Sequence, residues 1–329
     1  MRGSGANRDV DDGCRVPRPR VAVLGGLAWL VVAGALTPAI AQPAPRTPIK
    51  HDVVVDGHHV AVWQRKGAAP RATKVLLIHG RTWSSLPNFD LQVPGEERSL
   101  MDALGTAGLD VYAVDLRGYG ATPRDPSGFL TPDRAVADVA AVVAWMQQQE
   151  TRKGGTYLFG LSRGAMIAAM VAQKHPEKLA GIVLLGFGFD PDTQAAPTEA
   201  GIRPGRVRNT ADAAASDFIT RDAYTGATLS AFVRAALQHD PVLADWRDEQ
   251  QFNAFAPARV QVPVLLVHGD RDPQTPMATG TKLFNRFGTP DKWWVILPGA
   301  DHAAHLEKSL PLLVRTVVTF IRRHDTGRP

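Results

Sequence analysis

Residues Gly160-Leu161-Ser162-Arg163-Gly164 spell G-x-S-x-G. A serine hydroxyl is a useful nucleophile only when it is held exposed, beside a base and within reach of amide donors. A sharp strand-to-helix turn achieves this by forcing the serine into a strained backbone conformation, while flanking glycines keep side chains from colliding across the turn. Here the pentapeptide falls between an apolar run (155–160) and an Ala-rich, helix-forming run from Ala165 to Lys174. Taken alone the motif is weak, because its residues are common. Downstream stand an acid, Asp272 in Gly269-Asp270-Arg271-Asp272, and a histidine, His302 in Gly299-Ala300-Asp301-His302. Such a histidine takes the serine proton, and a carboxylate on its other ring nitrogen fixes the tautomer and stabilises the imidazolium.

These groups are distant in sequence, so strand ends must bring them together. Short β-branched apolar runs recur at Lys74 to His79, Asp110 to Asp115, Tyr157 to Leu161, Gly181 to Phe187, Val262 to His268 and Trp293 to Leu297. Near-continuous apolar strands indicate parallel strands covered on both faces. Helical stretches separate them at Arg98 to Ala107, Pro132 to Gln149 (with Thr131 as N-cap), Ala165 to Lys174 and Leu310 to Arg323. An alternating hairpin around Asp56-Gly57 precedes them, over His51 to Lys66. The expected fold is α/β, a doubly wound and mostly parallel sheet of about eight strands. Asp190 to Ala256 breaks the rhythm: it carries helical pieces (Ala211 to Phe218, Ala227 to Leu237) and is too long for an ordinary connection. It is expected to be an inserted helical cap over the C-terminal edge of the sheet, where such folds place ligands.

His79-Gly80-Arg81-Thr82-Trp83, Ser162, Asp272 and His302 all follow expected strands. Together with Asp115-Leu116-Arg117-Gly118-Tyr119-Gly120 and the run from Gly299 to Glu307, they make the chain resemble the α/β-hydrolases over roughly Val54 to Arg323. The resemblance implies a serine esterase-like enzyme with Ser162 as nucleophile, His302 as general base and acid, and Asp272 as the orienting carboxylate. It also implies an oxyanion hole formed by the backbone N–H groups of Arg81 and Arg163. Each such donor contributes on the order of 3 kcal/mol to the transition state. His305 and Asp270 or Asp190 are the rival base and acids, while Asp301, His79 and the Asp115–Arg117 segment read as structural. A serine rather than an aspartate at this turn argues for an acyl-enzyme and a small-molecule carboxylic ester, with lactones as close relatives. Carbon–carbon bond hydrolases, perhydrolases and iminopeptidase-like amidases share the same three groups, and a noncatalytic binding protein of this fold is a further alternative.

Arg81 and Arg163 depart from the neutral residues usual at these positions. Either a guanidinium faces the pocket and binds an anion, or both side chains turn into salt bridges with acids. Trp83 and Phe232 are candidate walls of an apolar acyl pocket. No cofactor is implied, and no H-e-x-x-H or other metal-ligand spacing occurs; His58 and His59 are neighbours on a strand and point to opposite faces.

The first 41 residues resemble an export signal. Arg15, Arg18 and Arg20 precede an uncharged stretch of sixteen residues from Val21 to Leu36, and Ala39-Ile40-Ala41 supplies a small-x-small cleavage site. The stretch is short for a membrane span; an uncleaved anchor is the alternative. Cys14 is the sole cysteine and would leave with the signal, removing thiol and disulfide chemistry from the rest. The expected division is signal 1–41, Pro-rich linker 42–50, core 51–189, cap 190–256, core 257–323 and tail 324–329. Beyond the signal the basic residues are scattered, and the net charge of +5 over the whole chain is modest, so nucleic acid is not an expected partner. The only expected membrane contact is through the signal segment.

Overall fold

The computed structural model describes residues 47–67, 72–149 and 155–323. The expected signal segment, most of the linker and the tail lie outside the described residues.

Eight strands form one sheet: β1 (Ile49–Val55), β2 (His58–Arg65), β3 (Lys74–Ile78), β4 (Asp110–Val114), β5 (Thr156–Leu161), β6 (Leu179–Leu185), β7 (Val264–Gly269) and β8 (Lys292–Leu297). Their spatial order is β1-β2-β4-β3-β5-β6-β7-β8. The first hairpin and the β2–β4 pair are antiparallel, and every other pairing is parallel. The hairpin turns at Asp56-Gly57, both with positive φ, as a type of turn favoured between twisted strands requires. The first strand starts at Ile49, so the expected linker gives its last two residues to the sheet.

The helices are α1 (Ser85–Phe89), α2 (Leu100–Thr106), α3 (Pro132–Gln148), α4 (Arg163–Lys174), α5 (Ala211–Ala215), α6 (Gly226–His239), α7 (Met277–Arg286) and α8 (Leu310–Arg322). Strand side chains alternate between two cores. Leu76, Ile78, Tyr112, Val114 and Leu158 pack with α3 and α4, whereas Val75, Leu77, Val111, Ala113 and Phe159 pack with α2 and α8. This two-sided burial explains the unbroken apolar strands. α3 begins as its sequence dictates: the Thr131 hydroxyl accepts the Arg134 amide and Pro132 occupies the first turn. Residues 190–256 hold α5, α6 and a 3₁₀ segment at Glu249–Ala254, and contribute no strand to the sheet.

Candidate active site

The end of β5 carries the sharpest turn in this region. Ser162 has φ 53° and ψ −113°, and α4 starts at the next residue. A non-glycine residue with that φ is strained and persists only where its surroundings hold it. Two features hold it: the Ser162 amide donates to Leu185 O on the neighbouring strand at 2.8 Å, and Ser162 O accepts Ala165 N at 2.9 Å. Gly164 makes the turn possible, because a Cβ there would collide with the carbonyl oxygens of Ile78 and His79.

His302 follows β8 and Asp272 follows β7. Nδ1 of His302 lies 2.8 Å from Oδ2 of Asp272. The same oxygen accepts the Thr275 hydroxyl at 2.6 Å, and Oδ1 accepts the Gln274 amide at 2.8 Å. Burial alone would raise the Asp272 carboxyl; the bonds from His302, Thr275 and Gln274 outweigh it and hold the group below the usual carboxylate range. Asp272 is therefore a carboxylate at neutral pH, and it accepts rather than donates. The imidazole comes this close because residue 186 is glycine: with φ +61°, its Cβ would lie 3.0 Å from Cε1 of His302. Ser162, His302 and Gly186 line one cavity of about 450 Å³ with Phe187, Phe189 and Phe252.

The amide of Arg163 is the first of α4 and has no partner within the helix, so it is free to point at a developing negative charge. The Arg81 amide is oriented indirectly. Nε2 of His79 accepts the Leu116 amide at 3.1 Å, which leaves the proton on Nδ1, and Nδ1 donates to Gly80 O at 2.8 Å. Because a peptide unit is planar and trans, fixing Gly80 O fixes the opposite direction of the Arg81 N–H. Burial lowers the His79 pKa and keeps this bonding pattern neutral. Further on, Arg81 O accepts the Tyr119 hydroxyl, which in turn accepts Nε1 of Trp246 at 2.8 Å.

The rival residues are engaged elsewhere. His305 is buried, pairs with Asn88 at 3.2 Å and is pushed down to about 3 by burial. Asp270 accepts the Gly299 amide at 2.7 Å, and Asp190 pairs with Lys282 at 3.0 Å. Asp301 accepts the amides of Ile219 and Ala303. Arg117 ties Asp138 (2.7 Å) to Asp125 (2.9 Å), the loop-joining role its sequence suggested. Trp83 and Phe232 pack edge to face at 6.2 Å in a buried cluster between α1 and α6; neither lines the cavity. Among the described residues no group of three His, Cys, Asp or Glu side chains is placed to hold a metal ion, and no helix is long and apolar enough to cross a membrane.

Both departing arginines meet one carboxylate. Oε2 of Glu249 accepts Nη1 of Arg163 at 2.5 Å, and Oε1 accepts Nη2 of Arg81 at 2.9 Å. Glu249 lies 86 residues from Arg163, beyond any spacing signal in the sequence. Thr275 was more accessible to inspection: a hydroxyl three residues after an aspartate is a common local bonding pattern.

A family model described as serine aminopeptidase S33 matches residues 68–309. The chain belongs to this family of α/β-hydrolases. It is a serine hydrolase, and several relatives are of known activity. A monoacylglycerol lipase of Mycolicibacterium smegmatis is 24% identical over 70% of this chain and 84% of its own. A pimeloyl-[acyl-carrier protein] methyl ester esterase of Aromatoleum aromaticum is 29% identical over 64% of this chain and 88% of its own. Among solved structures, an esterase from Rhodococcus sp. ECU1013 superposes with a TM-score of 0.60 at 22% identity, covering 84% of this chain and 98% of that one. That likeness carries the fold.

Proposed function

We propose that this serine hydrolase is an exported carboxylesterase that works through Ser162, His302 and Asp272. The observation that carries the reading is the 2.8 Å contact between His302 Nδ1 and Asp272, with Ser162 in a strained turn on the same cavity wall. Ser162 Oγ attacks the ester carbonyl carbon while Nε2 of His302 takes its proton. The oxyanion is received by the amides of Arg81 and Arg163. The tetrahedral centre collapses as His302 protonates the departing alkoxide, leaving the acyl group on Ser162. A water then gives its proton to His302 and attacks the acyl carbon. The carboxylic acid departs, and the proton returns to Ser162 Oγ.

Lipases and esterases among the relatives support an ester as the substrate, and lactones react by the same steps. Residues 190–256 are read as the cap, since Thr193, Gln194, Ala195, Glu249, Phe252 and Asn253 contribute to the cavity wall. Export rests on the sequence of residues 1–41. A fluorophosphonate probe should label the native protein and not Ser162→Ala, and short-chain aryl esters should be hydrolysed only by the former. Absence of both reactions would overturn the assignment. Amino-terminal sequencing of the native protein should begin at or near Gln42; an intact first segment would remove cleavage from the reading.

A further inference from the structure

The surroundings of Arg163 point to a substrate of a particular charge. Its guanidinium lies 5.4 Å from the centre of the Trp246 ring and 5.0 Å from that of Phe252, so two aromatic faces fix its plane. It occupies the residue next to Ser162 and lines the same cavity. One of its nitrogens, Nη1, donates to Glu249, while that carboxylate is shared with Arg81. Two guanidinium groups thus face one carboxylate, and the cluster retains a single positive charge.

The wall carboxylate Asp190 is neutralised from behind the cavity. Asp190 pairs with Lys282, which also pairs with Asp192, and Asp192 pairs with Arg286. Those four groups sum to zero. Among the described residues lining the cavity, Arg163 is the one arginine or lysine. A planar guanidinium with donors to spare matches a carboxylate in geometry as well as sign. A substrate ammonium would find both wall carboxylates, Asp190 and Glu249, already paired with cations.

We propose that Arg163, backed by Arg81, binds a carboxylate carried by the substrate, so that the preferred esters are monoanions. The proposal deepens the esterase reading and rests on Ser162 as nucleophile. Glu249 then acts as a resident counter-ion that holds the guanidinium in place before substrate arrives and competes with the incoming anion.

The test separates binding from turnover. Ser162→Ala protein is titrated by calorimetry with methyl hydrogen glutarate, a monoanion, and with neutral dimethyl glutarate. The monoanion should bind at least tenfold more tightly, and adding Arg163→Met should erase that difference. Glu249→Gln, which removes the competing carboxylate, should widen it severalfold; this arm decides the matter even if Arg163→Met fails to fold. Equal binding of the two esters, or a preference that survives Arg163→Met, overturns the proposal. O-acetylglycolate, with its carboxylate in the alcohol half, shows which half of the ester faces Arg163. Hydrolysis of dimethyl glutarate and labelling by the fluorophosphonate are read on Ser162-containing protein. Their failure would remove the esterase reading while the titration still decides the anion site.

Discussion

Thr275 and His302 converge on the same oxygen of Asp272, at 2.6 and 2.8 Å. The carboxylate beside the imidazole is thus itself oriented, so its angle to the ring does not depend on one bond. Asp272→Asn should lower kcat by about 10⁴, because an amide supports the wrong histidine tautomer. Thr275→Ala should cost roughly tenfold, the effect of losing one positioning hydrogen bond of about 1.4 kcal/mol. Steady-state kinetics on an aryl ester, with circular dichroism as a check on folding, measure both.

The turn around Ser162 has no room for a methyl group at residue 164, where a Cβ would press on the backbone of β3. Gly164→Ala should therefore cost about 1–3 kcal/mol through overpacking, and should displace Ser162 enough to abolish labelling. Thermal melting followed by circular dichroism, together with the probe, tests both effects. An active and equally stable variant would contradict the geometry.

Asp240, at the end of α6, accepts Ser84 N and Oγ at 2.8 Å each and Gly120 N at 2.9 Å. Burial pushes its carboxyl up to about 6, against the pull of these donors. Asp240→Ala would strand two backbone N–H groups, costing on the order of 2–4 kcal/mol, with a Tm lowered by roughly 5–15 °C. Limited proteolysis should then cut within 190–256 before the sheet core.

Glu307 is fully buried next to Asp301, and burial together with that neighbouring carboxylate pushes its carboxyl up to about 9. An acid whose pKa is raised in the folded state keeps a proton that the unfolded chain has already lost. Its effect on stability is therefore absent below the ordinary carboxyl pKa, and it lowers stability progressively as pH rises toward 9. Glu307→Gln imitates the neutral form. The Tm of the parent should fall relative to that of the variant between about pH 5 and pH 9, and the two curves should run parallel below about pH 4.

The sheet was legible because both faces of its strands are buried, which writes Leu76 to Ile78 or Val183 to Leu185 as unbroken apolar runs. The strand-end placement of Ser162, Asp272 and His302 was legible because each sits in a short local motif. α7 escaped notice: Met277–Arg286 buries only Thr279, Gly280 and Leu283, and two of those residues are poor helix signals. The roles offered for Trp83 and Phe232 rested on residue type alone, whereas an aromatic ring reads the same in a cluster as in a pocket wall. The two readings of Arg163 turned out to be compatible. It forms a salt bridge and also lines the cavity, because its partner acid lies there too.

The indole of Trp246 touches two lines of contact at once. Its nitrogen reaches Arg81 O through the Tyr119 hydroxyl, and its ring lies under the Arg163 guanidinium. Any ligand that draws on Arg163 or shifts the Arg81 loop changes the polarity around this chromophore. Trp246 is thus placed to report optically on the site: ligand binding should shift its share of the intrinsic emission without an attached label.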